Sequence, residues 1–594
     1  MSDEDPQPAN RDQTSPLDWS DDGQPRSRLY GDVYFSAHDG LAETRAVFLD
    51  GSGLPGAWAG RQRFVVGELG FGTGLNVLAL LDLWRRTRPD AGQLHIFSIE
   101  AHPITAQDAA RALAHWPELS DIAAPLLDRW PGQTRGWVRV ELPELSATLD
   151  LAVMEVEAAL AGWIGQADAW FLDGFAPALN PAMWRDEVLA LAAQRSAPGA
   201  RAATFTVAGQ VRRGLSAAGF TVEKKPGFGR KRERLEARLP GVATGPKPAP
   251  RIAIVGAGIA GAAAARAVRA LDGEALVIEA DAAGAGGSGN PSALVTPRLD
   301  AGLGAPAQLF AQAFRRAVTL YDDLPDAIIS RGVLQAPAQP RDAERFARIA
   351  ASGLFDPGAL EVVAPDGALA QHTALVVEPA AILAAWVPDV LQGSVATLGR
   401  EDGDWVLLDA EGREIARADV VIVAAAMGSA ALCPGLPLRP VRGQASFAED
   451  FPDAPGAVAW GGYLLPTRGG LLFGATHDRD DEATEVRAAD HERNLASLAA
   501  VRPDLAARLA GTPLQGRASI RATTPDRLPI AGAAPTMEGV FLLTGFGSRG
   551  FSLAPLMAEH VAALALSAPS SLPAPLAELV DPDRFRRRAL RRSS

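Results

Sequence analysis

Short apolar runs that end in a glycine loop and pass into a helical pattern recur along this chain. The clearest is Ile252–Glu279. Ile252–Val255 is wholly apolar and reads as a buried strand. Gly256-Ala-Gly258-Ile-Ala-Gly261 follows at once, and an Ala-rich helix begins within it. A second apolar run, Ala275–Ile278, ends in Glu279. This order is the βαβ dinucleotide fingerprint. Gly256 permits the tight turn, Gly258 lets the backbone approach a pyrophosphate, and Gly261 lets helix and strand pack closely. The helix N-terminus offers unpaired N–H groups to the anion. Glu279 can accept hydrogen bonds from an unphosphorylated ribose, which favours FAD or NAD over NADP. The competing reading is a structural Gly-rich turn.

A second unit of this kind lies upstream, in Arg63–Asn76, RFVVGELGFGTGLN. Phe64–Val66 reads as a strand, and Leu75–Trp84 has helical periodicity. The loop between them, Gly70-Phe-Gly72-Thr-Gly74, follows Glu68. An acid two residues before GxGxG resembles the first motif of class I S-adenosylmethionine methyltransferases. There the glycine turn accommodates the methionine moiety and the acid meets its ammonium group. Leu94–Ile99 is the next strand and ends in Glu100, positioned for ribose hydroxyls.

Further strands supply candidate chemistry. Trp170–Leu172 ends in Asp173, which opens a Gly/Pro-rich loop. Ligands of open α/β sheets bind beyond the carboxyl ends of strands, so Asp173 can touch an acceptor; a turn cap is the plainer alternative. Trp184 suits lid packing or an aromatic stacking surface. Arg212 and Arg213 follow another strand. Lys224–Arg238 holds seven basic residues: Lys224, Lys225, Arg230, Lys231, Arg232, Arg234 and Arg238. The run is either a solvated face or a phosphate-binding patch. In the second half, Gln308–Leu320 reads as a helix. Pro440–Ser446 and Tyr463–Thr476 read as antiparallel sheet. Val540–Thr544 is a last strand, and Gly545-Phe-Gly547-Ser-Arg549-Gly550 opens a helix from Phe551 to about Leu566. That loop suits a flavin edge or a carboxylate, or is a plain turn.

Length and composition set bounds. With 594 residues, the chain needs more than one core. Its net charge of −13 confines any nucleic-acid site to a local patch. Cys433 is the only cysteine, which excludes internal disulfides, zinc ribbons and cysteine-ligated clusters and suits a reducing cytoplasm. No signal peptide or membrane span is read, and no metal site is expected. Few apolar surface stripes are evident, so a monomer is expected. Residues 1–16 read as a disordered tail, 17–238 as one domain, 239–250 as a Pro/Gly-rich linker and 251–594 as a second domain. Asp581–Arg592, with six arginines, reads as a solubilising end or a secondary nucleic-acid contact.

Together these motifs resemble, along nearly the whole chain, the bifunctional tRNA 5-methylaminomethyl-2-thiouridine biosynthesis family. The match is carried by DVYFS (Asp32–Ser36), GLAETRAVFL (Gly40–Leu49), GELGFGTGLN (Gly67–Asn76) and WFLDGFAPALNPAMW (Trp170–Trp184). TFTVAGQVRRGL (Thr204–Leu215), GFGRKRE (Gly227–Glu233), the dinucleotide fingerprint and GFGSRGFSLAPL (Gly545–Leu556) complete it. Glu155 departs from the family's usual Gly-Asp, and the loop GGSGNPSAL differs locally.

The resemblance implies a Rossmann-like class I methyltransferase joined to an FAD-binding Rossmann domain with an antiparallel substrate subdomain. It implies FAD and S-adenosylmethionine as cofactors and tRNA as partner. The second half would remove a carboxymethyl group from 5-carboxymethylaminomethyl-uridine, and the first would methylate the resulting amine. Glu68, Gly70, Gly72, Gly74 and Glu100 would hold the methyl donor, and Gly256, Gly258, Gly261, Glu279, Gly545 and Gly547 the flavin. Asp173 would accept the amine proton. Similarity to glycine oxidase points to Arg521 and Arg549 for the substrate carboxylate, with Tyr463 as a hydrogen-bonding group. Arg212, Arg213, Lys224, Lys225, Arg230, Lys231 and Arg232 would hold RNA. A small-molecule amine oxidase fused to a small-molecule N-methyltransferase is the alternative.

Overall fold

The computed structural model describes residues 15–21, 23–35, 39–229, 231–242, 248–451 and 455–593. Most of the expected N-terminal tail, the centre of the expected linker (243–247) and Arg230 lie outside the described residues. The chain forms two compact units, Met1–Ala161 with Gln166–Pro246, and Gly162–Gly165 with Lys247–Ser594.

Unit one is built on β1 (Arg63–Leu69), α1 (Leu75–Thr87), β2 (Gln93–Ile99), β3 (Gly136–Leu142), β4 (Ala147–Val153), β5 (Ala167–Leu172), β6 (Ser196–Thr204), α2 (Gly209–Ala217), β7 (Thr221–Pro226) and β8 (Glu233–Arg238). Its eight-stranded sheet runs β3-β4-β2-β1-β5-β6-β8-β7. The five central strands, β4 to β6, are parallel. They are mostly buried, as parallel strands of a covered sheet are. The edges are antiparallel. Glu68, Glu100 and Asp173 therefore cluster at the carboxyl ends of β1, β2 and β5, where order reverses and ligands bind.

Unit two begins with β9 (Ile252–Val255), α3 (Ile259–Ala270) and β10 (Ala275–Glu279), followed by β11 (Leu391–Gln392) and β12 (Val420–Val423). Then come β13 (Arg439–Glu449), β14 (Tyr463–Thr467), β15 (Gly470–Gly474), β16 (Gln515–Thr523), β17 (Ile530–Ala533), β18 (Val540–Thr544), α4 (Gly550–Ala565) and α5 (Arg584–Ser593). One sheet runs β11-β10-β9-β12-β18-β17, parallel except for β17. A larger sheet contains β13 paired antiparallel with β15 and β16, and β14 antiparallel to β15. No helix among the described residues is long and apolar enough to cross a membrane.

Two open readings are narrowed here. Trp184 is fully buried and donates its indole N–H to the Phe175 carbonyl, so it packs under its loop and offers no stacking surface. The Arg-rich terminus is docked helix rather than loose tail. Arg584 is buried and pairs with Asp526 at 3.0 Å; Arg588 reaches the same carboxylate. Arg586 and Arg587 pair with Asp583 and Asp581. Burial alone would raise Asp526, but the hydrogen bonds and charge of Arg584, joined by Arg588, outweigh it and hold the carboxyl down at about 2. The stability this pairing contributes is full above the unfolded carboxyl's pKa near 4 and is lost as pH falls toward 2. Arg584→Ala is expected to destabilise unit two by about 3 kcal/mol, the scale for breaking a buried ion pair. Denaturant unfolding at pH 7 measures it; an unchanged midpoint would contradict the docking.

Candidate functional sites

In unit one, Gly70, Gly72 and Gly74 all have positive φ, which lets the loop turn sharply into α1. Glu68 lies beneath the loop, fully buried. Its Oε2 accepts from the Ser98 hydroxyl, while Oε1 has no hydrogen-bond partner within bonding distance among the described residues. Burial pushes its pKa up to about 8, against the Ser98 hydrogen bond. An orphaned buried carboxyl oxygen of this kind is suited to an incoming cation, and an ammonium group would restore its charge.

Glu100 is already engaged. Its Oε2 accepts from the Gly72 N–H at 3.0 Å and Oε1 from the His102 N–H at 2.9 Å. It thus ties β2 to the glycine loop; each oxygen retains a second lone pair for a ribose hydroxyl.

Asp173 combines both readings of its position. Oδ1 caps the turn by accepting from the Gly174 N–H at 2.7 Å. Oδ2 accepts from Asn76 Nδ2 at 2.7 Å, and Asn76 Oδ1 accepts from the buried Thr44 hydroxyl at 2.9 Å. Burial raises the Asp173 pKa to about 6, opposed by the Asn76 and Gly174 hydrogen bonds. A carboxylate poised near neutrality is suited to general-base work. Thr44 and Asn76, which orient it, were not singled out by pattern reading, although each sits inside a motif carrying the family resemblance. Tyr30, Tyr34 and Phe175 form an aromatic group beside the loop.

The basic run is not a bare positive face. It folds as the β7/β8 hairpin, whose strands interleave acids with the lysines. Lys224 pairs with Glu233 at 2.7 Å and Lys225 with Glu223 at 2.5 Å. Lys231 pairs with Glu43 at 2.7 Å and lies 3.7 Å over the Phe205 ring. Arg212, Arg213 and Arg232 are exposed. Surface pairs are worth little, so these lysines can exchange a glutamate for a phosphate.

In unit two, the loop Gly256–Gly261 opens into a cavity of about 920 Å³. A Cβ at Gly261 would sit 1.7 Å from the Gly256 carbonyl oxygen, so strand and helix meet there as closely as glycine allows. Glu279 accepts from the Ala257 N–H at 2.7 Å and from the Ala280 N–H at 2.8 Å, tying β10 to the loop as Glu100 does in unit one. The cavity is also lined by Gly545, Gly547, Tyr463 and His477.

Four arginines line this cavity: Arg298, Arg345, Arg521 and Arg549. Arg345 pairs with Asp342 at 3.1 Å. The other three have no carboxylate in ion-pair range among the described residues. Arg521, on β16, donates to the Thr476 carbonyl at 3.1 Å and lies over Gly443, where a Cβ would fall 2.1 Å from its Nη1. Burial lowers its pKa and raises that of neighbouring Tyr463. Arg549 reaches toward the carbonyls of Thr296 and Pro297 at 3.4 and 3.3 Å. Burial, with the nearby charge of Arg298, pushes Arg549 down to about 10. Arg298 and His477 were missed by sequence reading. The cavity's size, its glycine cradle and its unmatched cations fit a large anionic nucleotide cofactor together with an anionic substrate.

Comparison with known proteins gives concordant matches. Residues 117–240 match a family described as S-adenosyl-L-methionine-dependent methyltransferase, and residues 251–564 match the FAD dependent oxidoreductase family. The first match begins after the unit-one glycine loop, so the case for that loop rests on its geometry. The chain is 59% identical over 588 residues to the tRNA 5-methylaminomethyl-2-thiouridine biosynthesis bifunctional protein of Caulobacter sp. (strain K31), covering 96% of this chain and 98% of that one. The protein of the same name from Maricaulis maris (strain MCS10) is 45% identical, covering 97% of each. Among solved structures, glycine oxidase from Geobacillus kaustophilus aligns with a TM-score of 0.46 at 22% identity, over 54% of this chain and 96% of that one.

Proposed function

The chain belongs to the tRNA 5-methylaminomethyl-2-thiouridine biosynthesis bifunctional family, and on that premise we propose that its two units act in turn on a wobble uridine of tRNA. It is an enzyme with an S-adenosylmethionine-dependent methyltransferase unit and an FAD-dependent oxidoreductase unit. Unit two removes the carboxymethyl arm of 5-carboxymethylaminomethyl-(2-thio)uridine, and unit one methylates the primary amine that results. What carries this reading is a single match running through both units over 588 residues. A tRNA substrate and a lone cysteine favour a cytoplasmic location.

FAD in the unit-two cavity supplies hydride acceptance, and S-adenosylmethionine at the unit-one loop supplies the methyl group. The Gly256–Gly261 loop and the N-terminus of α3 would hold the FAD pyrophosphate, and Glu279 would meet its ribose. Arg521 holds the substrate carboxylate through paired N–H donors, and Tyr463 adds a hydroxyl beside it. In unit one, Glu68 receives the donor's ammonium group. Asp173, fixed by Asn76, takes the proton from the amine so that its lone pair is free to attack. Arg212, Arg213, Lys224, Lys225, Lys231 and Arg232 meet RNA phosphates.

The test is nucleoside mass spectrometry on tRNA carrying 5-carboxymethylaminomethyl-2-thiouridine. Purified protein with FAD alone should remove the carboxymethyl mass, and adding S-adenosylmethionine should then add one methyl. An unchanged nucleoside from flavin-loaded protein would move the assignment to a small amine substrate. Arg521→Gln is expected to lower the oxidase kcat/KM by about 10²-fold or more, the scale for losing one partner of a buried charged pair. Flavin absorbance should be unchanged; a drop below tenfold would remove Arg521 from the carboxylate's contacts.

A further inference from the structure

The unit-two cavity carries more positive charge than one carboxylate needs. Its unmatched cations fall into two groups on different elements. Arg521, on β16, stands with Tyr463 and His477. Arg549, in the loop before α4, stands with Arg298 and the Thr296–Pro297 backbone. A bidentate arginine satisfies a carboxylate, so the first group suffices for the substrate's arm. The second group then faces the cavity without an anion.

Arg298 makes no hydrogen bond or ion pair among the described residues. Its guanidinium carbon lies 5.0 Å from the centre of the Phe310 ring. Arg298 and Arg549 line the same cavity partly out of water, and the charge of Arg298 disfavours that of Arg549. Such an arrangement is unfavourable until an anion enters. A flavin pyrophosphate would have the amides of the Gly256–Gly261 loop and the N-terminus of α3, on a different element. A small amine substrate brings one carboxylate and no second anion. A nucleotide within an RNA chain brings a phosphodiester as well.

We propose that Arg298, beside Arg549, binds a backbone phosphate of the RNA nucleotide whose modified base enters the cavity, while Arg521 holds the carboxylate. This rests on the tRNA reading above. Single-stranded loop nucleotides can be splayed out into such a pocket, and a phosphate contact fixes their register without reading sequence. Arg298 thereby selects tRNA over a free nucleoside or small amine.

The test uses the full-length, FAD-loaded Arg298→Gln enzyme. The oxidase step is assayed on tRNA carrying the carboxymethylaminomethyl group and on the free modified nucleoside. Binding of the same tRNA is measured across a salt series. The expected result is a KM for tRNA raised about tenfold, with KM for the nucleoside unchanged. The slope of log affinity against log salt should fall by about one, the signature of one lost phosphate contact. Flavin content and visible spectrum should match wild type. Arg298→Lys, which keeps the charge, should restore the salt slope. Equal loss on tRNA and nucleoside would make Arg298 a carboxylate ligand, and loss of flavin would make it a cofactor ligand. Either outcome, or no change in KM and slope, overturns the proposal. Failure of wild type to bind or oxidise tRNA would instead count against the tRNA reading itself.

Discussion

An Asp173→Asn enzyme is expected to leave its tRNA at the 5-aminomethyl stage. The oxidase step should proceed normally, so mass spectrometry should find the carboxymethyl group gone and no methyl gained. The methyl-transfer rate should fall by about 10²–10⁴-fold, the usual contribution of a positioned general base. Asn has the same shape as Asp and keeps an oxygen for the Gly174 N–H, so the turn should survive. What it loses is a proton acceptor whose pKa burial has raised to about 6.

The same number fixes a pH dependence. Asp173 works in its ionised form, which predominates above its pKa. The wild-type methylation kcat/KM should therefore fall as pH drops through about 6, about tenfold per unit below it, and the Asn variant should lack that limb. Asn76→Ala is the graded companion. It removes the Nδ2 donor to Asp173 and leaves the carboxylate. Its effect should be smaller and should move the limb upward, because that hydrogen bond favours the ionised form. Retention of more than about a tenth of the methylation rate in Asp173→Asn would reduce Asp173 to the turn cap that its Gly174 contact already makes it.

The elements that positioned these groups were legible because their signals are local. Ile252–Val255 and Val540–Thr544 are strands over those same residues, and the acids at the ends of β2 and β10 stand where apolar runs stop. A pattern of period two or 3.6 reports only which face of one element is buried. It carries no information about which distant residue arrives opposite. Lys231 meets Glu43, 188 positions away, and Arg584 meets Asp526, 58 positions away. Counting cations therefore left both basic runs open between solvated segment and phosphate contact, and gave no sign of the acids that packing sets against many of them. Arg298 was passed over for a related reason. It lies in an irregular stretch after β10, and its neighbour Arg549 is 251 positions later in sequence. Glu100 and Glu279 show a subtler gap. Their spacing was read as a ribose contact alone, whereas each also accepts an N–H of its own glycine loop, a bond that depends on how the loop folds back over the strand end.

Gly261→Ala is expected to give a colourless protein that still methylates. The methyl group of alanine would lie 1.7 Å from the Gly256 carbonyl oxygen, far inside contact distance. Neither partner can yield easily. Gly256 is held by its N–H to the Ile278 carbonyl at 2.8 Å, and its φ of 107° is a conformation few other residues adopt. Relief requires α3 to move off β9, which pulls the helix N-terminus from the pyrophosphate position. Flavin binding should be lost, and with it the oxidase step. Unit one is a separate compact body with its own core, so tRNA supplied at the 5-aminomethyl stage should still gain a methyl. Gly258→Ala is the internal contrast. Its added carbon would meet only the Ser288 side chain, with the hydroxyl at 3.2 Å; that hydroxyl also accepts from the Ile259 N–H and needs to give by a few tenths of an ångström. Unit two should then fold, and any loss should appear as weaker flavin affinity where the backbone must approach a phosphate. A yellow, oxidase-competent Gly261→Ala protein would mean that the close approach of helix and strand does not build the cofactor site.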